Sequence, residues 1–523
     1  MEFGKKDASS IYLNNIILPL KSQSRWKSLK KVLLTADKSL LNDFHLKQNL
    51  SQFFYGSGDL LNNWIFKLLV PDPKIVNGIT RFAPYPLRKI EAKMMELGYD
   101  VSTISYKQIP SSIKDAKVLG IHTVNPLGLA FNTYLRNFIN ERYEKPRYYF
   151  SQLIKNKHIK EAKKDGLKII VGGQGAWQFE SNQDLLDEYG IDCVIIGESE
   201  LVIDEILSAA LKDKDIPRFV RVKKNQIPNI DQISDIKYPS VSGCIEVGRG
   251  CPRQCKFCEV TQSKLRWYPL SKIENELIIN NQADLKYGIL HAEDIFLYGQ
   301  QSVVPNKKKI LDLIRLSKKY HRNIHFTHVS IASSIAIPDL IEHVMELILQ
   351  DQDYMLVEVG IETGSDKLIK MNMASKMKPF KAEMWSDLTI EALGKMHDNM
   401  IIPFCSIIFG LPNETIQDKE KTLELIENLS DYRCIFFPVN FIPLGKLKNH
   451  DRQSKNLEDL DDIEKETCFR CIDHDLKWIK KTKRYFYKES TYHLFMEIFS
   501  KIWIFQYKRN VSKYKKKLKI NTK

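Results

Sequence analysis

The chain has 523 residues, 43% of them hydrophobic and 27% charged. That composition belongs to folded domains, and the length exceeds one ordinary core, so two or three domains are expected. The net charge is +15, but fifteen Lys and Arg against two acids fall between Lys477 and Lys523. The rest of the chain is close to neutral, which argues against a uniformly basic nucleic-acid-binding surface. No run reaches the roughly 18 to 20 apolar residues that a bilayer span needs. The opening MEFGKKDASS lacks the apolar core of a secretory signal, so a cytoplasmic location is expected. Nine cysteines are few for this length and odd in number. Metal or redox use is favoured over a disulfide framework.

Residues 1–30 read as an irregular arm. Lys31–Ala36 (KVLLTA) reads as a buried strand. Pro86–Asp100 reads as a helix with Ile90, Met94 and Leu97 on one face, closed by Gly98. Further strands are expected at Val101–Ser105, Lys117–Val124, Leu167–Gly173 and Cys193–Glu198, the last running into the helix ELVIDEILSAAL. Strands alternating with helices predict a doubly wound α/β sheet over residues 31–220. Its ligands would sit at the strand carboxyl ends, where loops 125–128, 172–176 and 197–200 lie. The polar stretch 221–240, with two prolines, reads as a linker. Six more strands are expected in GCIEVGR, GILHAED, IHFTHVS, YMLVEVGIE, IIPFCSIIFG and CIFFPVNF. They predict a partial (β/α)6 barrel over 241–446, with its chemistry at the strand C-termini. Residues 447–523 read as a helical, aromatic and basic extension.

The segment VGRGCPRQCKFCEV places Cys251, Cys255 and Cys258 on a loop directly after a strand. Thiolates are soft ligands that suit iron–sulfur clusters. Three of them can each bind one iron of a cubane and leave the fourth iron open. The alternatives are buried cysteines, or a closed zinc site that recruits Cys244 as fourth ligand.

This stretch, including Phe257, resembles the signature of the radical S-adenosylmethionine (SAM) superfamily. The resemblance extends over Cys244 to Lys446. It implies that Glu293 or Asp294 in HAED binds the SAM amino group, although the glycines of that family motif are missing. It implies that Ser330 contacts the SAM ribose or carboxylate, that Glu362 binds ribose, and that Ile408 and Gly410 pack on adenine. Ser330 read simply is a helix cap, Glu362 a structural carboxylate and Ile408 a core residue.

The first sheet resembles the cobalamin-binding domain that precedes many radical SAM domains. The resemblance rests on the helix at Pro86, the VLGIHTVN strand end, the Gly172–Gly173 pair and IIGESE. It implies a cobalamin site near Thr123, Asn125, Gly172, Gly173, Gly197 and Glu198, with the glycines admitting the cofactor. The alternative is a sheet that has lost its ligand. Asp43-Phe44-His45 departs from the cobalt-binding motif of other cobalamin proteins because Gln48 stands where they have glycine. No imidazole ligand below cobalt is expected. Methylthiotransferases acting on tRNA use three N-terminal cysteines for a second cluster, and here only Cys193 precedes Cys244.

Together these resemblances imply a class B radical SAM methyltransferase with a 4Fe-4S cluster, SAM and cobalamin. It would methylate an unactivated carbon through a 5′-deoxyadenosyl radical and methylcobalamin. The layout is similar to archaeal members that methylate a protein carbon, such as a glutamine of methyl-coenzyme M reductase. A lipid substrate, a cyclisation or rearrangement, and a non-catalytic iron–sulfur protein stand as alternatives. The expected partners are a substrate, with a protein side chain favoured, and an electron donor such as flavodoxin or ferredoxin. No specific nucleic acid is expected. In the extension, Cys468 and Cys471 form a Cys-x2-Cys pair followed by His474, readable as helix core or as a thiol or metal site. Leu494, Ile498, Ile502 and Phe505 share one helical face. They either pack on the barrel or meet a membrane surface, an acidic protein or nucleic acid.

Overall fold

A computed structural model of the chain describes residues 31–42, 64, 66–67, 70–130, 134–135, 144–259, 263–450, 456–487 and 493–518. The expected arm at 1–30 and the Asp43-Phe44-His45 motif lie outside these residues. The first sheet has six parallel strands: β1 (Lys31–Ala36), β2 (Val101–Thr103), β3 (Ala116–His122), β4 (Lys168–Gly172), β5 (Cys193–Ile196) and β6 (Phe219–Arg221). Their spatial order is β2-β1-β3-β4-β5-β6. Period-two alternation splits β1 between two cores. Leu33 packs with Phe150 and Ile159 on one face. Val32 and Leu34 pack with Leu87, Met94 and Ile206 on the other. Helices therefore cover both faces, as a doubly wound sheet requires. The order reverses between β1 and β3, and such a switch point opens a crevice at the strand carboxyl ends.

The second sheet comprises β7 (Cys244–Glu246), β8 (Tyr287–His291), β9 (Asn323–Phe326), β10 (Met355–Glu362), β11 (Ile401–Phe409) and β12 (Ile435–Asn440). Strands β7, β8 and β9 form one parallel ladder and β10, β11 and β12 another. A single parallel bridge, His328 with Glu358, joins the two halves. The result is the open six-stranded barrel expected from the six apolar segments.

The stretch read as a linker is a packed seam. Its first residue, Arg221, ends β6. Ile233 and Ile236 are buried in the barrel's core cluster. Helix α1 (Tyr85–Glu96) of the first domain carries Lys89, whose Nζ donates to Ser234 O at 2.7 Å and to Glu276 Oε1 at 2.5 Å. Glu276 sits on barrel helix α2 (Leu270–Gln282) and also accepts from Tyr85 Oη at 2.7 Å and Ile236 N at 3.1 Å. One buried carboxylate thus gathers both domains and the seam between them.

After β12 come two long helices, α3 (Asp462–Tyr487) and α4 (His493–Lys517). Cys468 and Cys471 are fully buried on α3, as are Cys405 on β11 and Cys434 just before β12. His474 Nε2 lies 3.1 Å from Tyr432 O and 3.8 Å from Cys434 Sγ. Among the described residues no group of His, Cys, Asp and Glu has the arrangement of a single-ion site. Cys468 and Cys471 are packed as helix core. Helix α4 buries Met496, Ile504, Tyr507 and Val511. The face formed by Leu494, Ile498, Ile502 and Phe505 points the other way and is exposed. Packing of that face on the barrel is therefore corrected.

Removing one partner of a buried ion pair strands the other in low dielectric. Lys89→Met is expected to lower unfolding free energy by about 3 kcal/mol, read from the urea midpoint. An unchanged midpoint would show that water reaches Glu276 and that the seam is not closed.

Candidate active site

Cys251, Cys255 and Cys258 follow β7 on a single loop, and none is in a disulfide. Cys255 is buried, while the other two are partly accessible. Burial pushes the Cys251 and Cys255 thiols up, so ligation would displace their protons. Three thiols each bound to a different iron need not converge on one point. Cluster ligands therefore fit here where a single ion does not. Cys244 opens β7 with its carbonyl held by Ser240 Oγ at 2.6 Å. It stays in the strand, which does not suit a zinc site shared with the loop.

Arg253, between the first two cysteines, is 3% exposed. Its Nη2 donates to Asp294 Oδ2 at 3.0 Å and to Ser330 Oγ at 2.7 Å. Its Nη1 donates to the carbonyls of Lys378 at 2.6 Å and Lys376 at 3.1 Å. The guanidinium therefore pins the cysteine loop to segments beyond β8, β9 and β10. Asp294 is 2% exposed and also accepts from Ser330 Oγ and Ser333 Oγ, both at 2.7 Å. Ser330 caps the short helix after it by accepting from Ser333 N. Asp294 and Ser330 are thus both engaged in holding Arg253. Glu293 is the half-buried carboxylate of HAED, and it remains the candidate for an ammonium.

Glu362 closes β10 after a register shift in the ladder, at φ 69°. It accepts from Lys376 Nζ at 2.6 Å and from Ser406 Oγ at 2.7 Å. Burial opposes the Lys376 charge, yet Glu362 holds its ammonium above the ordinary lysine range. Each Glu362 oxygen keeps capacity for a further donor such as a hydroxyl. A Cβ on Gly360 would stand 2.2 Å from Glu362 Oε1 and 2.5 Å from Lys376 Nζ. Only glycine lets this pair fold over the strand. Phe257 meets Phe441 edge to face at 6.5 Å. Ile408 is buried on β11, and Gly410 at φ 80° gives its N–H to Glu414 at 2.9 Å.

A second constellation lay hidden in the strand patterns. Val357 and Val359 are buried, but Glu358 between them is 65% exposed in a strand paired on both sides. Its face of β10 must therefore line an open lumen. His328 Nε2 lies 3.0 Å from Glu358, and His291 Nδ1 lies 3.1 Å from Thr327 Oγ1. Burial opposes charge on His328, but Glu358 outweighs it and raises the imidazole to about 9. His291 pairs in register with Glu246, which binds Arg249 Nε at 2.7 Å. Beside Cys251 a cavity of about 660 Å³ opens, bordered by Lys224, Ser375, Lys378 and Lys446. That volume lies in the range of small-molecule sites.

The carboxyl ends of the two sheets face each other. Arg249, two residues before Cys251, donates to Glu198 at 2.8 Å and to Glu200 at 2.6 Å. Glu198 also pairs with Arg266. Glu198, expected at a cobalamin site, is here an interdomain ion-pair partner. Asn125 is likewise committed internally, accepting from Ala130 N and Gln178 Nε2 at 2.9 Å, and Thr123 is buried. The chain itself demands the glycines. A Cβ on Gly173 would meet His122 Nδ1 at 2.5 Å, and one on Gly197 would meet Val222 Cβ at 2.9 Å. Gly172 has no such contact closer than 3.9 Å. At the β1 end of the switch point stands Asp37, 1% exposed, whose Oδ2 has no hydrogen-bond partner. Burial pushes its carboxyl up to about 7 against the hydrogen bonds of Ser39. An orphaned carboxyl oxygen beside the crevice of a doubly wound sheet fits a bound cofactor that brings amide or hydroxyl donors.

Arg253→Lys is expected to weaken cluster retention about tenfold or more, because one ammonium cannot replace the guanidinium fork. Iron and sulfide content after reconstitution reads this directly. His328→Gln should show a pH signature. A folded-state pKa raised from 6.5 to about 9 contributes stability below the lower value and loses it through the upper. The melting-temperature gap between wild type and His328→Gln should therefore close as pH rises from 6.5 through 9.

Residues 245–426 match the family model described as the radical SAM superfamily. A tRNA-2-methylthio-N(6)-dimethylallyladenosine synthase of Orientia tsutsugamushi is 22% identical over 309 residues. That match covers 56% of this chain and 65% of the relative, so the chain spans less than two thirds of that protein. The Pelagibacter ubique enzyme of the same name is 26% identical over 322 residues, covering 59% of this chain and 67% of the relative. Among solved structures, the radical SAM methyltransferase TsrM of Kitasatospora setae, with cobalamin and a [4Fe-4S] cluster bound, aligns with TM-score 0.52 at 12% identity. It covers 80% of this chain and 77% of that one, and it shares the fold. The barrel that carries Cys251, Cys255 and Cys258 is a radical SAM domain.

Proposed function

We propose that this radical SAM enzyme is a cobalamin-dependent methyltransferase acting on an unactivated carbon. The observation that carries the reading is the Arg249–Glu198 contact, which turns the ligand-binding ends of both sheets toward one another. A cofactor held at the switch point near Asp37, His122 and Gly173 would then look toward the cysteine loop. When bound, the cluster and SAM supply one-electron cleavage and hydrogen abstraction, and cobalamin supplies the methyl group. The residues of the chain position and shield. Cys251, Cys255 and Cys258 hold the cluster, Arg253 keeps their loop closed, and Glu293 and Glu362 offer carboxylates to the ammonium and hydroxyls of SAM. Glu358 and His328 present a charged pair in the lumen to the polar end of a substrate. The lysine-rimmed cavity beside Cys251 suits an acidic electron donor such as flavodoxin or ferredoxin.

Methylthio transfer, named for the tRNA-modifying relatives, fits less well. Cys193, upstream of Cys244, is fully buried in β5 and presents no thiol to a second cluster. A protein side chain is the favoured substrate. A lipid is the second reading, and the exposed face of α4 supports it.

Anaerobic reconstitution with iron, sulfide and hydroxocobalamin, followed by reduction and SAM, is expected to yield 5′-deoxyadenosine. Cys255→Ala should yield none. Cobalamin should stay with the protein through desalting, and its absorption spectrum reads this without turnover. Deoxyadenosine without retained cobalamin would keep the radical SAM assignment and overturn the methyl donor. A reconstituted cluster whose EPR signal is indifferent to SAM would overturn both.

A further inference from the structure

Helix α4 carries an apolar stripe with nothing over it among the described residues. Leu494, Phe495, Ile498, Ile502 and Phe505 are 49–69% exposed. They recur at helical spacing opposite the buried Met496, Ile504, Tyr507 and Val511. Lone exposed apolar residues are ordinary, but a contiguous stripe marks a contact surface. At a rise of 1.5 Å per residue the stripe runs for about 16 Å along the helix.

The same face continues as a row of cations. Arg509, Lys513 and Lys516 extend the line of Leu494, Ile498, Ile502 and Phe505, and Lys508 flanks it. These four side chains are exposed and enter no ion pair among the described residues. No acid occurs after Glu497. Glu497 itself is turned to Lys483 at 2.8 Å and Lys501 at 3.5 Å. Lys515 and Lys517, on the flank, are paired with Asp473 and Glu458. The outward face is thus apolar in its first half, purely cationic in its second, and free of carboxylate.

We propose that this face of α4 binds the surface of an anionic phospholipid membrane. Two matched requirements single out that partner. Acyl chains accept large apolar side chains without needing shaped pockets, and phosphate headgroups neutralise a cation row lying in the same plane. A second copy of the chain meets the apolar requirement, but the same face of its α4 offers the cation row no anion, since no acid follows Glu497. No helix among the described residues is long and apolar enough to cross a membrane, so α4 lies on the bilayer. The helix is also fastened to the edge of the site. Tyr507 Oη donates to Leu135 O at 3.0 Å, and the adjacent Tyr134 hydroxyl bonds Asn440 at the carboxyl end of β12. A membrane under α4 would therefore lie near the carboxyl end of β12.

Flotation of the full-length protein with vesicles tests this. Vesicles of phosphatidylcholine and phosphatidylglycerol at three to one should carry the protein up the gradient, and phosphatidylcholine alone at least tenfold less. Ile498→Ser with Phe505→Ser should cut flotation at least tenfold while leaving far-UV circular dichroism and melting temperature unchanged, because both side chains are solvent-exposed. Arg509→Gln with Lys513→Gln should reduce it several-fold and remove most of its salt dependence. Absence of flotation on the anionic vesicles overturns the proposal. Wild-type flotation by the Ile498/Phe505 variant also overturns it, leaving only charge adsorption. A dimer seen by light scattering that this variant dissociates, without vesicle binding, assigns the face to a second copy instead.

Discussion

The site depends on one buried guanidinium. Arg253 is taken out of water inside the cysteine loop, and a charge so placed persists only if paired and fully hydrogen-bonded. Asp294 provides the charge, and Ser330 with the carbonyls of Lys376 and Lys378 provides the remaining acceptors. These groups come from the ends of three successive strand units, so satisfying one side chain fixes the loop against half of the barrel. Asp294 and Ser330 are engaged in the loop for this reason.

The same logic operates between domains. Glu276 ties α1 and the seam to the barrel from below, and Glu198 and Glu200 tie Arg249 from the other side. The polar stretch 221–240 is therefore a clasp whose charged neighbours are consumed by pairing. Two clasps at separate places hold the strand ends of the sheets face to face. Any chemistry shared between ligands of the two domains needs this arrangement, because proximity and orientation must be set before reaction.

Inside the barrel, exposure and depth coincide. Glu358 and His328 feel burial as a strong influence on their charge, yet both touch solvent. That combination describes the wall of an internal lumen. Ion pairing keeps the charges there, with His328 protonated across neutral pH.

The sequence by itself determined the two α/β units, since short apolar runs alternating with amphipathic helices leave few other ways to bury both strand faces. It also determined the cysteine loop, because cluster chemistry demands soft ligands at close spacing and three thiols after a strand are visible without coordinates. Glu362 was legible as a strand-end carboxylate, but its partners Lys376 and Ser406 were not, since they lie 14 and 44 residues away. Tertiary structure alone decided which carboxylates pair within the chain: Asp294 with Arg253, Glu198 with Arg249 and Arg266. It alone showed that Gly173 and Gly197 serve the packing of the chain, and that Glu358 faces a lumen. It decided which face of α4 is outward, where two apolar stripes compete and periodicity cannot say which meets the core. The physical reason is common to all of these. Spacing along a chain reports which residues share a face, whereas pairing of charges and burial of a face depend on what folds back against them.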